Sequence, residues 1–403
     1  MRPNQLGFYY AALALTNVTR GACIVAQAWS AAMTGAGLAA VGQIFVVSHA
    51  VIILCGPFVG VMIDRYSRRH LAIIGQLLIG CATLIPWLWV SAGWPLSLWA
   101  LMFVAAGASL GYVVMSGALD AIQQAVGERK DQPRISAMAG SIRQGFMIAG
   151  SGIAGLGIHY FSPAAAYLFC SLFCVIAAGL IYFLPDARVN AARRGTVFTE
   201  VIIGLRELNA MPAVLRIGLL TAIGFSVGQL SNVLLPNFVK DELGGDSRLF
   251  GIVDALWSVG GVLSPLLLAR FIGLHRLSNV EYWSAILLGL VTALVWSVER
   301  PASLMIAYFF LGCLFSITKV VCDGRVLEIC AGEVVGRVRT HIQSLISVVG
   351  LFIYLSPSIL PIRTASASYL LWGSLVALCA IALFWTDTKA RAREGGLQSE
   401  RTG

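Results

Sequence analysis

Long apolar runs alternate along the chain with short intervals that hold nearly all of the charge, and the alternation continues from one end to the other. A helix needs about 20 apolar residues to cross the hydrocarbon core of a bilayer. Cutting the chain at its charges on that length predicts twelve spans, near 6–33, 36–63, 70–92, 96–121, 135–160, 164–185, 213–238, 249–271, 279–298, 302–324, 336–360 and 365–386. The expected fold class is all-α, a polytopic membrane protein. The first run, with Arg20 inside it, is too long and too polar for a cleaved signal peptide and reads as the first span.

The longest polar interval, DARVNAARRGTVFTEVIIGLRELNAMPAVLR, lies in the middle and divides the spans six and six. Four regions follow: a six-helix bundle over 1–187, a cytoplasmic linker over 188–212, a second six-helix bundle over 213–386 and a tail over 387–403. Within the linker Val197, Phe198, Val201, Ile202, Leu205 and Leu208 fall on one helical stripe, which predicts a short amphipathic helix on the membrane surface. The two halves read as weak copies of one another. Span 1 carries Asn17, Arg20 and Gln27 on one face, span 7 carries Ser226, Gln229 and Asn232, and GSIRQG opens span 5 where HIQSLIS opens span 11. Matching polar stripes predict a water-filled cavity between two pseudo-symmetric bundles; the alternative is that these groups only bond neighbouring helices.

Composition then fixes the solvent. The 403 residues are 58% hydrophobic and 12% charged, against roughly a quarter charged in soluble domains, so the lipid bilayer is the surroundings. The net charge of +9 follows from topology. With the N-terminus, the even-to-odd loops and the tail placed on the cytoplasmic side, that side collects 21 of the 28 bases. The opposite loops hold Lys240, Arg248, Arg300 and Arg363, and three bases lie inside spans. This bias obeys the positive-inside rule with both termini cytoplasmic, and no nucleic acid is needed to explain the charge. Nine scattered cysteines without a Cys-x-x-Cys or Cys/His cluster read as packing residues, with no metal and no cofactor implied.

Charges inside the spans carry the chemistry. Arg20 falls near the centre of span 1, Arg143 a third of the way into span 5 and Lys319 deep in span 10. Each has a structural alternative: Arg20 bonding a carbonyl, Arg143 snorkelling, Lys319 pairing with Asp323. Unneutralised bases within spans are costly, and together they would make a cavity attractive to an anionic solute. The predicted substrate-binding set is therefore Arg20, Asn17, Gln27, Arg143, Gln229, Asn232 and Lys319. Asp254, a turn or two into span 8, is the acid placed to take up and release protons. GSGIAG, at Gly150, Gly152 and Gly155, spells a dinucleotide fingerprint, which requires a preceding strand; mid-span it reads as small-residue spacing for close helix contact.

Between spans 2 and 3 the chain reads GVMIDRYSRRH. Gly60, Asp64, Arg65, Arg68 and Arg69 resemble the signature loop of the major facilitator superfamily, with Ser67 where the second glycine is usual, and the corresponding loop of the second half, GGVLSPLLLARFIGLHRLS, lacks the acid. The resemblance covers the whole chain. It implies a conformational latch in which Asp64 sits at the N-terminus of span 11 near Gly336, and a base reaches an acid at the end of span 4, for which Asp120 is the candidate. An anion at a helix N-terminus gains roughly 0.3–1 kcal/mol when exposed, and breaking the contact would release the halves between outward-open and inward-open states.

Stretches such as MPAVLRIGLLTAIGFSVGQLSNVLLPNF and VVGRVRTHIQSLIS further resemble siderophore exporters of the enterobactin-exporter type. That implies a monomeric exporter of the bacterial inner membrane, driven by protons, for a siderophore or similar small organic anion. A multidrug proton antiporter of the same fold is the alternative, although a cationic-drug exporter should present acids in its cavity. A membrane-embedded enzyme is a third class. The chain has no P-loop and no intramembrane acid dyad for it, so the expectation is no enzyme.

Overall fold

The computed structural model describes residues 5–126, 131–186, 212–271, 279–329 and 335–402. Among them the chain forms twelve long α-helices: α1 Gln5–Met33, α2 Gly37–Arg65, α3 Arg68–Ser91, α4 Leu98–Val126, α5 Gln132–Tyr160, α6 Pro163–Tyr182, α7 Pro212–Asn237, α8 Ser247–Phe271, α9 Val280–Leu294, α10 Pro301–Ile329, α11 Val335–Ile359 and α12 Ala365–Thr402. They follow the twelve predicted spans in order. The surface helix expected over 197–208 lies outside the described residues.

Local chemistry sets the boundaries. Ser67 and Ser162 cap α3 and α6 by accepting from the amides of His70 and Ala165, which satisfies donors that a helix start leaves open. Gly35 and Gly37, at φ 77° and 69°, make the reversal between α1 and α2 in a backbone region that side-chain-bearing residues avoid. Pro236 lies just before a π-helical turn, Phe238–Glu242, which continues α7.

Ten of the helices are long and apolar enough to cross a membrane, which makes this a multi-pass membrane protein. The two that fall short are α1 and α5, 29 residues each and therefore long enough, but diluted by Asn17, Arg20 and Gln27 in one and by Arg134, Ser141, Arg143 and Gln144 in the other. Most of α1 is buried in protein, Asn17 and Gln27 included, whereas Arg20 is exposed and borders a cavity. Large apolar side chains instead stand out of the surface elsewhere, as at Leu54, Phe58 and Phe103, where hydrocarbon replaces a protein partner.

The chain groups into two compact units. The first holds residues 1–194 with 232–258 and 354–363; the second holds 195–231, 259–353 and 364–403. In the first unit α1 packs along α5 and α6, α3 along α4 and α6, and α2 along α4. Its core runs through Tyr9, Leu13, Leu71, Met115, Leu119 and Ile122. Small residues allow the close crossings: Gly21 lies against the Met147 carbonyl, Gly150 against the Val18 carbonyl and Gly155 against Gly251, so GSGIAG is a helix-packing surface in α5. In the second unit α9 packs on α12 and α10 around Val214, Leu220, Tyr282, Ala285, Ile342 and Ala380. Ion pairs there join Arg216 to Asp387 at 3.0 Å and Arg325 to Glu281 at 3.5 Å. The packing role expected of the cysteines fits Cys23, Cys170, Cys174 and Cys322, which are buried, but not Cys81, which is exposed on α3.

Candidate substrate cavity

A cavity of about 170 Å3 opens within the first unit beside the centre of α1. Thr16, Arg20, Cys23 and Gln27 line it at offsets of 4, 3 and 4, which places them on one helical face. α2 supplies Phe45, Ser48, His49 and Ile52 by the same periodicity, and α4 supplies Ser109 and Tyr112 one turn apart. Asn232, near the end of α7, and Tyr354, in α11, complete the wall.

Arg20 is the fixed charge of this cavity. Its guanidinium lies 3.9 Å from the centre of the Tyr112 ring and donates to the Tyr112 hydroxyl. The flat guanidinium on an aromatic face is a cation–π contact that holds the charge without neutralising it. Among the described residues no carboxylate pairs with Arg20. Opposite it, Tyr354 stacks on Phe45 at 5.2 Å and tilts over His49 at 4.6 Å. Gly42 permits this approach, because its missing side chain leaves room for the Tyr354 carbonyl. The His49 Nδ1 lies 3.2 Å from the Phe45 carbonyl, one turn back on its own helix. The result is one guanidinium, two phenols, an imidazole and two amides around an apolar floor, which suits a compact solute with an anionic oxygen group and a flat body.

The remaining predicted residues go elsewhere. Gln27 lines the cavity and donates to the Cys23 sulfur, while Asn17 is buried and donates to the Leu13 carbonyl at 2.7 Å, one turn back on its own helix. Arg143 does not line this cavity; it pairs with Asp120 across α5 and α4. Within the second unit, Gln229 donates to the Ile346 carbonyl and packs on Gly350, and Lys319 stands 5.6 Å from the Phe225 ring. Asp254 lies on α8 beside the Ser151 hydroxyl, which in turn donates to the Gly21 carbonyl at 3.4 Å. Sequence reasoning missed His49, Tyr112 and Tyr354 as wall residues. The adjacent polar pair Ser48 and His49 inside an otherwise apolar run was the available signal; the tyrosines carried none, since such residues also serve as interface aromatics.

At the signature loop, Arg68 donates to the Ala121 carbonyl at 3.1 Å, near the C-terminal end of α4, where a cation meets the negative end of the helix dipole. The base of the loop therefore reaches α4 through a carbonyl, whereas Asp120, expected to receive it, is the partner of Arg143. Ser67 donates to Asp186, and Arg69 lies over the Tyr182 ring. Gly60 and Arg65 are in the last turns of α2; the side-chain surroundings of Asp64 and Gly336 lie outside the described residues. Among the described residues no cluster of His, Cys, Asp and Glu is disposed to hold a metal ion.

Twelve helices, ten of them apolar enough to span a bilayer, and a cavity at mid-helix within the first unit fit a polytopic membrane transporter. The chain belongs to the Major Facilitator Superfamily, whose family model matches residues 6–230, more than half of its length. No curated protein gives a match. Solved structures share the fold at low identity. The nucleoside transporter NupG superposes with a TM-score of 0.72 at 14% identity, over 94% of this chain and 98% of that one. A POT family transporter in complex with 5-aminolevulinic acid gives 0.75 at 11%, over 96% of both chains. A bacterial homolog of the human lysosomal transporter Spinster, inward-facing and unoccupied, gives 0.74 at 11%, over 96% of this chain and 98% of that one.

Proposed function

We propose that the protein is a secondary active transporter that moves a small organic anion across the membrane by alternating access. The observation that carries this reading is Arg20, a guanidinium held against Tyr112 at mid-span and facing a cavity with no carboxylate among its described wall residues. A charge kept unneutralised in a membrane is expensive and serves a ligand or a proton path. The finer reading is a proton-coupled exporter of a siderophore or related acid in the bacterial inner membrane, with Asp254 as the coupling carboxylate and Asp64 in the latch. It is supported by the resemblance to siderophore exporters and by the fit of guanidinium to catecholate, hydroxamate and carboxylate oxygens. At about 170 Å3 the cavity suits a compact acid, since sites for drug-sized ligands measure about 300–1,000 Å3; a larger siderophore requires the cavity to widen during the cycle.

Purified protein in proteoliposomes tests both levels. With an imposed pH gradient, flux of a small aryl acid such as dihydroxybenzoate is expected in the wild type, little in Arg20→Gln, and gradient-independent flux in Asp254→Asn. Transport confined to cationic dyes would overturn the anion reading in favour of a multidrug antiporter. Gradient-driven flux persisting in Asp254→Asn would remove that residue from coupling while leaving the substrate class intact.

A further inference from the structure

The anion reading assigns no role to one titratable group of the cavity wall, the imidazole of His49. It lies in α2 at mid-span, among Phe45, Ser48 and Ile52 on the cavity face. Its Nδ1 lies 3.2 Å from the Phe45 carbonyl, and a carbonyl can only accept, so Nδ1 carries the hydrogen. In the neutral ring Nε2 is then the free acceptor, and the proton gained on titration goes there. The charged or titratable groups that face it are Arg20 and Cys23 from α1, Tyr112 from α4 and Tyr354 from α11. Arg20 alone of these carries a charge at neutral pH, and it is positive.

Two cations in one small cavity repel, and an anion between them removes the repulsion. We propose that His49 is a second protonation site of this cavity and that its proton binds together with the anionic solute, so that solute and proton are held as one neutral unit beside Arg20. The inference rests on the anion reading and adds its linkage. By reciprocity, whatever factor the His49 proton contributes to anion affinity, the anion contributes to proton affinity. Solute and His49 proton are therefore linked in binding, separately from any proton exchanged at Asp254. Affinity for the anion rises as pH falls through the histidine range, by up to about tenfold per pH unit, the limit for one linked proton.

The test uses an aryl sulfonate such as benzenesulfonate, whose own charge is constant over the range studied, with the purified full-length protein in nanodiscs. Calorimetric titrations span about pH 5.5 to 8.5, around the unperturbed histidine value of about 6.5, in two buffers of different ionisation enthalpy. The wild type is expected to bind more tightly at the acid end and to take up close to one proton per sulfonate near the middle of the range. His49→Gln is expected to bind with a single affinity across the range and to take up none. Proton uptake by the wild type decides the matter even if that variant fails to fold. Affinity that is flat with pH, with binding still lost in Arg20→Gln, would overturn the role of His49 and leave the anion reading standing. No sulfonate binding by the wild type at any pH would overturn both.

Discussion

Two arginines lie within helices of the first unit and meet opposite fates. Arg143 of α5 pairs with Asp120 of α4, and both side chains are partly exposed. Arg20 of α1 meets the ring and hydroxyl of Tyr112, with no carboxylate paired to it among the described residues, and it borders a cavity. A guanidinium opposite a carboxylate is already satisfied and contributes to helix placement. A guanidinium on a phenol keeps its charge available, because an aromatic face attracts a cation without cancelling it. The same residue type in the same kind of segment therefore joins two helices in one place and borders a cavity in the other, where we propose that it meets the solute.

Arg20→Gln should produce the largest effect on transport. Removing a charged hydrogen-bonding group removes roughly 1.5–3 kcal/mol of solute binding, so a small organic acid should lose about tenfold to a hundredfold in affinity, with Arg20→Lys intermediate because a point charge replaces a fork. Equal flux in wild type and Arg20→Gln, at matched protein level in the membrane, breaks the contrast at once.

The pair should respond differently. Asp120→Asn leaves the Arg143 charge uncompensated and is expected to lower the yield of folded protein, whereas Asp120→Asn with Arg143→Gln should recover much of it. The difference is modest, about 1 kcal/mol or less, since both groups are partly exposed and solvent screens them. Thermal unfolding of the single and double variants in detergent measures it. A double variant no better than Asp120→Asn alone would show that the pair is not structural.

Tyr112→Phe sharpens the comparison at its smallest scale. The ring under Arg20 survives and only the hydroxyl goes, so affinity for the acid should fall by about threefold to tenfold, a part of the ~1.5–3 kcal/mol of the charge-assisted Arg20–Tyr112 bond, because the ring still holds the guanidinium. Titration against the same probe as for Arg20→Gln reads this directly, and a loss as large as that of Arg20→Gln would mean that the phenol itself binds solute.

Most of the fold was legible in the chain, because each apolar run states by its length and composition that it must leave water. Twelve runs became twelve helices, although α1 and α5, read as spans like the rest, fall short of the others in apolar character because of their polar residues. The site was legible only in part. Arg20, Gln27 and Asn232 line the cavity, while Asn17 turns to its own backbone and Gln229 to that of α11. Helical spacing shows which residues share a face but not what that face meets.

What the sequence determined by itself is the solvent of each segment, since transfer of a residue from water to hydrocarbon is a property of that residue and its immediate neighbours. Which arginine would be neutralised was decided by the tertiary structure. Asp120 lies 23 positions from Arg143 and Tyr112 lies 92 from Arg20, and nothing local distinguishes the two bases. The small-residue crossings of α1 with α5, at Gly21 and Gly150, belong to the packing that brings distant side chains together. A charge has no fixed role until such packing has chosen its neighbours, because in a medium of low dielectric the energy of a charge is set by the opposite charges and dipoles placed around it.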